Sequence, residues 1–201
     1  MSLKRLLVVS LGNPGKLADT YHSIGHIAIK ALQKQLPENS LFATQRYAKH
    51  SGVSISQGPK YCLLTSPTLM NISGPFVAAA YKEYVKEQNL APEEVGLVVV
   101  HDELEEKLGV VKTRMWQSSP RGHNGVKSVQ KSLPHRPDRS WARVTVGIGR
   151  PLERSKTTVS DFVLGKVPHD AKTVIEREAS ARLLEMLTQL ERKWEAAAAA
   201  A

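Results

Sequence analysis

The chain has 201 residues, of which 41% are hydrophobic and 23% are charged, and these fractions are ordinary for a globular protein. Its 28 Lys and Arg residues outnumber 19 Asp and Glu residues, and the net charge of +9 favours a polyanionic partner, either nucleic acid or an acidic membrane surface. The single cysteine, Cys62, excludes an internal disulfide and a cysteine-rich zinc site, and it fits a reducing compartment.

The length predicts one domain over residues 1–195, followed by an alanine-rich tail over residues 196–201. No apolar stretch is as long as a membrane span, and the first residues do not resemble a signal or transit peptide. We therefore expect a cytoplasmic protein, with a mitochondrial location as the alternative if residues precede Met1.

The predicted strands are apolar runs or alternating segments. Residues 6–9 and 96–100 are continuous apolar runs, residues 46–67 predict two short strands broken at Gly52 and at Gly58, and two more strands are expected in residues 108–115 and 142–149.

The predicted helices lie between these strands. Helical spacing is found in residues 22–36, in 74–89 with Ser73 as the N-cap, in 125–133 and, at greater length, in 168–195. Alternation of strands and helices predicts an α/β fold, a three-layer α/β/α sandwich around a mixed, mostly parallel sheet. In such a fold, sites gather beyond the carboxyl ends of the strands.

Two polar segments directly follow predicted buried strands, "GNPG" at residues 12–15 and "HDE" at residues 101–103. His22 follows the first segment at the start of a helix, whose dipole lowers the pKa of an imidazole and favours the neutral base. Asp102 can accept a hydrogen bond from that imidazole and raise its pKa again. The contact requires the two strand ends to be neighbours, and the alternative is a polar cap residue beside a solvated strand end. Glu103, Glu105 and Glu106 are expected to be solvated loop charges.

Three asparagines lie in segments typical of turns: Asn13, Asn71 and Asn124. Each one alone is explained as a turn former. Together, their amides can orient a peptide carbonyl or donate to a developing oxyanion.

Other chemistries are less well supported. "GNPG" lacks the Gly-Lys-Ser/Thr of a phosphate-binding loop, and no GxSxG nucleophile motif is present. His22 and His26 have helical spacing for a metal pair, with Asp102 as a possible third ligand, but no HExxH accompanies them. We expect no metal and no cofactor.

Seven motifs in order make the chain similar to the bacterial-type peptidyl-tRNA hydrolase family: "GNPG", "TYHSIG", "PTLMNISG", "VVHDEL", "GHNGVKS", "VGIGRP" and "FVLG". The resemblance runs from about residue 6 to residue 165. It implies a monomeric enzyme that hydrolyses the ester between a peptide and the 3′-terminal ribose of tRNA, and so recycles tRNA from peptides that ribosomes have dropped.

The resemblance also implies roles for individual residues. His22 is the general base on water, Asp102 orients it, and Asn13, Asn71 and Asn124 line the peptide and the oxyanion. Three basic residues near these motifs are candidates for contact with tRNA phosphates: Arg114, Arg121 and Arg143.

The chain departs from the family pattern at several positions. Tyr21 stands where the family has arginine, Ser23 stands where it has asparagine, and the loop "WQSSPRGHNG" lacks the usual glycines. Ser23, Leu69 and the "RGHNG" segment look more like animal or fungal members. The rival functions are a non-catalytic RNA-binding homologue and an esterase acting on a small acylated substrate.

Overall fold

Seven strands form one sheet in the computed structural model, which describes residues 3–136, 139–153 and 155–200. The strands are β1 (Arg5–Ser10), β2 (Ala43–Tyr47), β3 (His50–Gln57), β4 (Tyr61–Thr65), β5 (Val95–Glu103), β6 (Val111–Met115) and β7 (Trp141–Gly147). Their order across the sheet is β2-β3-β4-β1-β5-β7-β6.

The central strands β4, β1, β5 and β7 run parallel to one another, and the outer strands pair antiparallel. The mixed, mostly parallel sheet predicted from the sequence is therefore confirmed. β1 and β5 are direct neighbours, with Ser10 paired to Val100, so their carboxyl ends meet at one edge of the sheet.

The sheet buries side chains on both faces, as its continuous apolar runs require. The helices are α1 (Ile24–Gln33), α2 (Ser73–Glu87), α3 (Asn124–Ser132), α4 (Lys156–Leu164), α5 (His169–Val174) and α6 (Ser180–Ala199). Leu6 and Val8 pack in one core with α1 and α6, whereas Leu7 and Val9 pack in the other with α2 and α3. Three α/β/α layers result.

The predicted C-terminal helix is present with a local change of pitch. A π-helical turn, Ile175–Ala179, joins α5 to α6, and Leu183 and Leu187 are fully buried against the sheet. The alanines at positions 196–199 continue α6 as helix. Among the described residues, no helix has the length and apolarity needed to cross a membrane.

The segment predicted to form two strands contributes to three, β2, β3 and β4. Gly52 does not end a strand, because β3 continues through it. The break occurs earlier, at Ala48 and Lys49, which both have positive φ (47° and 68°) and connect β2 to β3 in a two-residue turn. Such turns usually carry Asn or Gly, so Ala-Lys gave no signal in the sequence.

The predicted N-cap is also wrong. Ile72 precedes α2, and the Ser73 hydroxyl instead donates back to the carbonyls of Leu69 (3.2 Å) and Met70 (3.0 Å). One helix was not predicted at all: α4 begins where the hydroxyl of Ser155 accepts from the Thr158 amide, and it buries none of its residues.

A close approach between α2 and α3 positions the start of α3. The amide of Gly74 donates to the hydroxyl of Ser128 (2.9 Å), and a Cβ on Gly74 would lie 2.0 Å from the Ser128 carbonyl oxygen. Only a residue without a side chain lets the two helices come this near.

We expect Gly74→Ala to destabilise the fold by about 1–3 kcal/mol, because the added methyl group forces the two helix backbones apart. Urea denaturation of the wild type and the variant measures the difference. Equal free energies of unfolding would show that the helices separate without cost.

Candidate active site

A cleft of about 670 Å³ opens beyond the carboxyl end of β5. One wall is the strand end from His101 to Glu105, a second is the loop and helix start from Pro120 to Lys127, and a third is α4. Its cationic lining residues are Arg121, Lys127, Arg150 and Lys156. The cleft therefore combines buried polar groups with a basic rim.

His22 and Asp102 meet in this cleft. The 3-10 turn Tyr21–Ser23 brings His22 over the end of β5, and its Nδ1 lies 2.8 Å from Asp102 Oδ1. The carboxylate is 3% exposed and the imidazole 17% exposed. A carboxylate only accepts, so Nδ1 carries the proton and Nε2 of His22 is left with its lone pair.

A third residue, His123, completes the cluster and was missed in the sequence. Its Nε2 lies 2.9 Å from the same Oδ1 atom of Asp102, while its Nδ1 accepts a hydrogen bond from the Val126 amide (3.2 Å) as the N-cap of α3. Because Nδ1 accepts this hydrogen bond, the neutral His123 ring carries its proton on Nε2. The only hint was its place in "GHNG", beside Asn124.

The pKa of His22 lies above its ordinary value. Burial lowers it, but the charge of Asp102 and the hydrogen bond to it outweigh burial. The lowering expected from a helix terminus is therefore not the net result. Conversely, burial would raise the pKa of Asp102, but His123 and His22 hold it well below its usual range.

His101 supports the main chain of this cluster. It is 2% exposed, and its Nδ1–H donates to the Asp102 carbonyl (2.7 Å). Burial is the main cause that lowers its pKa well below the ordinary value. Its Nε2 accepts from Nη1 of Arg143 (3.4 Å), so His101 is a neutral structural residue.

The three asparagines occupy different environments. Asn124 is exposed and lines the cleft as the first residue of α3. Asn13 is buried, and its Oδ1 accepts from the Met70 amide (2.9 Å), which ties the loop after β1 to the turn before α2. Asn71 is exposed in that same turn. Neither Asn13 nor Asn71 is among the residues that line the cleft.

The three arginines also differ. Arg121 lines the cleft with its side chain 44% exposed, and the side chain of Arg114 is 25% exposed at the sheet edge. Arg143 is 2% exposed, and its Nη2 donates to the carbonyls of Ser118 (2.6 Å) and Met115 (3.4 Å). A guanidinium buried in this way does not reach a phosphate, so the expected contact by Arg143 is not supported.

The histidine pair at helical spacing does not form a metal site. His26 is buried, its Nδ1 bonds to the Ser10 hydroxyl (2.6 Å), and burial lowers its pKa to about 3. One ligand atom from each of His22, Asp102 and His123 lies within 4.8 Å of the others, a spacing that can hold a metal ion. Two N–H donors on one carboxylate oxygen already account for this arrangement.

The helix α4 forms the outer wall of the cleft. Its residues Lys156, Val159, Ser160 and Val163 face the cleft, and Phe162 stacks on Tyr21 with ring centroids 4.8 Å apart. The contact with Tyr21 therefore holds this helix beside His22. Lys127, Arg150 and Lys156 were not predicted as site residues, because nothing in their sequence context separates them from ordinary surface charges.

We expect Asp102→Asn to move the pKa of His22 from above to below its ordinary value. The neutral amide removes the charge that raises the pKa, and the lowering by burial remains. An NMR titration of the His22 ring protons measures the change. A pKa that stays raised would mean that another group stabilises the imidazolium.

Comparison with known proteins identifies the family. The peptidyl-tRNA hydrolase family model matches residues 7–200. The peptidyl-tRNA hydrolase of Yersinia pseudotuberculosis is 34% identical over 184 residues, covering 90% of this chain and 88% of that protein. That of Lactiplantibacillus plantarum is 35% identical over 161 residues, covering 80% and 79%. The crystal structure of the Acinetobacter baumannii enzyme has a TM-score of 0.67 and 25% identity, covering 98% of this chain and 97% of that chain. This chain belongs to the peptidyl-tRNA hydrolase family.

Proposed function

We propose that this protein hydrolyses the ester bond between a peptide and the 3′-terminal ribose of tRNA, with His22 and Asp102 activating the attacking water. The observation that carries the proposal is the 2.8 Å contact between His22 Nδ1 and Asp102 Oδ1 inside a cleft with a basic rim. A neutral imidazole held by a carboxylate suits general-base catalysis, and the basic rim suits a polyanionic leaving group.

The steps follow from the proton positions. His22 Nε2 accepts a proton from water as the water oxygen attacks the ester carbonyl carbon, and Asp102 stabilises the imidazolium that forms. The tetrahedral intermediate then collapses with cleavage of the bond to the ribose oxygen. That oxygen takes the proton from His22, and the products are a peptide carboxylic acid and a tRNA with a free 3′-hydroxyl.

The asparagines supply donors for the acyl part of the substrate. Asn124 lines the cleft beside His123, where its amide can donate to the developing oxyanion. Asn13 and Asn71 lie outside the cleft lining, on the loop after β1 and the turn before α2, and are proposed to contact the part of the peptide that extends beyond the cleft. The Oδ1 of Asn13 is occupied by the Met70 amide, and its Nδ2 has no hydrogen-bond partner among the described residues.

The basic residues serve the tRNA part. Arg121 lines the cleft and Arg114 lies close to it, so both are proposed to contact phosphates, together with Lys127 and Lys156. Arg143 acts indirectly, because it holds the carbonyls of residues 115 and 118 in the segment that leads to Arg121.

The rival is an RNA-binding homologue without activity. Binding a polyanion requires the basic rim, but it gives no reason to bury a carboxylate under two imidazoles and leave one ring nitrogen facing a cleft. This buried cluster favours the enzyme. We further propose that it acts as a monomer in the cytoplasm, with the mitochondrion as alternative; the reduced, buried Cys62, whose pKa burial raises to about 12, fits both.

We expect His22→Ala to lower the rate of peptide release from a labelled peptidyl-tRNA by at least about a hundredfold, the usual contribution of a general base. His135→Ala, which removes an exposed imidazole outside the cleft, is the matched control and should retain full activity. Unchanged turnover in the His22 variant would remove that residue from the mechanism.

We expect Arg121→Ala to weaken tRNA binding and to reduce the slope of log K against log salt by about one, since one phosphate contact is lost. Arg46→Ala removes the same charge from the exposed strand β2 at the opposite edge of the sheet and should leave the slope unaltered. Equal slopes for both variants would show that Arg121 contacts no phosphate.

A further inference from the structure

Glu103 is not the solvated loop charge expected from its place in the sequence. It is the last residue of β5 and 8% exposed, and its Oε2 lies 3.6 Å from Nη1 of Arg121 and 3.9 Å from Nη2 of Arg114. The pKa of the buried Arg143 also responds to these charges. Burial lowers it most, the charge of Arg114 lowers it further, and the charge of Glu103 raises it. One carboxylate is thus shared between two guanidinium groups, those of Arg114 and Arg121.

The three side chains of this cluster are buried to different depths. The side chain of Glu103 is 9% exposed, whereas those of Arg114 and Arg121 are 25% and 44% exposed. The carboxylate therefore lies deep, and the two guanidinium groups stand nearer to solvent. A phosphate approaching the cleft meets the two arginines before it meets Glu103.

Nearby carboxylates compensate the charges of Arg114 and Arg121, but the hydrogen-bond donors of the two guanidinium groups are not used up. Arg121 is held near Glu103, and Arg114 near Glu103 and near Glu106 (3.5 Å), at ion-pair distances and not by direct hydrogen bonds. Among the described residues, no hydrogen bond uses the guanidinium N–H groups of Arg114 or Arg121; the main-chain N–H of Arg121 donates to the Ser119 hydroxyl (3.2 Å). The guanidinium donors are therefore free for a doubly contacted anion.

We propose that Glu103 is a positioning residue, which draws Arg114 and Arg121 together for one substrate phosphate and, as an anion itself, limits how tightly that phosphate is held. This inference rests on the proposed function. Substrate and product tRNA carry the same phosphates, so contacts to them strengthen both complexes alike and do not accelerate the chemical step. A built-in competing anion keeps the product from being retained.

The test is the affinity of Glu103→Gln for deacylated tRNA. The amide is nearly the same size and can still accept from the Glu105 amide, as Glu103 does now (3.3 Å), but it carries no charge. We expect tRNA to bind several-fold more tightly. The slope of the logarithm of the binding constant against the logarithm of the salt concentration should steepen by about one, because one more protein cation displaces a counterion from the tRNA.

Two further variants separate local charge from other effects. Glu94→Gln makes the same change in net charge at the opposite end of β5, where Glu94 pairs with Lys4, and should leave the affinity unchanged. Glu103→Asp keeps the negative charge and should not bind tRNA more tightly than the wild type. Thermal unfolding of each variant confirms that the fold is retained.

Unaltered or weaker binding by Glu103→Gln would overturn the inference, as would equal tightening by Glu94→Gln or tightening by Glu103→Asp. These outcomes leave the hydrolase assignment intact, provided that the wild type binds tRNA and releases peptide. A wild type that does neither would overturn the proposed function itself, and with it the role of Glu103.

Discussion

The site depends on a single oxygen atom, Oδ1 of Asp102, which accepts from His22 and from His123. A buried carboxylate is costly unless it is paired and hydrogen-bonded, and here both conditions are met by two imidazole N–H groups. Because the folded pKa of Asp102 is depressed, its contribution to stability is present above the unfolded pKa and is lost as the pH falls through the folded pKa. Protonation of Asp102 at low pH therefore destabilises the fold and also removes the charged acceptor that holds His22.

The cluster of Asp102, His22 and His123 depends on three separate parts of the fold. β5 places Asp102 at the carboxyl edge of the parallel strands, the turn after β1 places His22 above it, and the start of α3 places His123 beside it. Each of these positions is fixed by packing away from the cleft. Gly74 against Ser128 sets α3, and Asn13 against Met70 ties the loop after β1 to the turn before α2.

The charges around the cleft show why a net charge of +9 says little about which residues meet a polyanion. The sequence named three arginines as candidates for phosphate contact. Arg143 instead holds the backbone at Met115 and Ser118, whereas Arg121 and Arg114 lie nearer to solvent than the buried Glu103. Burial converts one cation into a structural clamp and leaves the other two to interact with a ligand. The chain therefore carries its counter-anion inside its own basic rim.

The sequence by itself determined the fold class and the family, and through the family's motifs it named His22 and Asp102 as candidate site residues. Continuous apolar runs predict the two buried strands after which these residues come, but the sequence left open whether the two strand ends are neighbours. Only the tertiary structure decided which neighbours share the edge of the sheet. His123 joins through the start of α3, Asn13 and Arg143 are held inside, and Glu103 is buried, because exposure and contacts between distant segments are set by packing, to which local sequence patterns are blind.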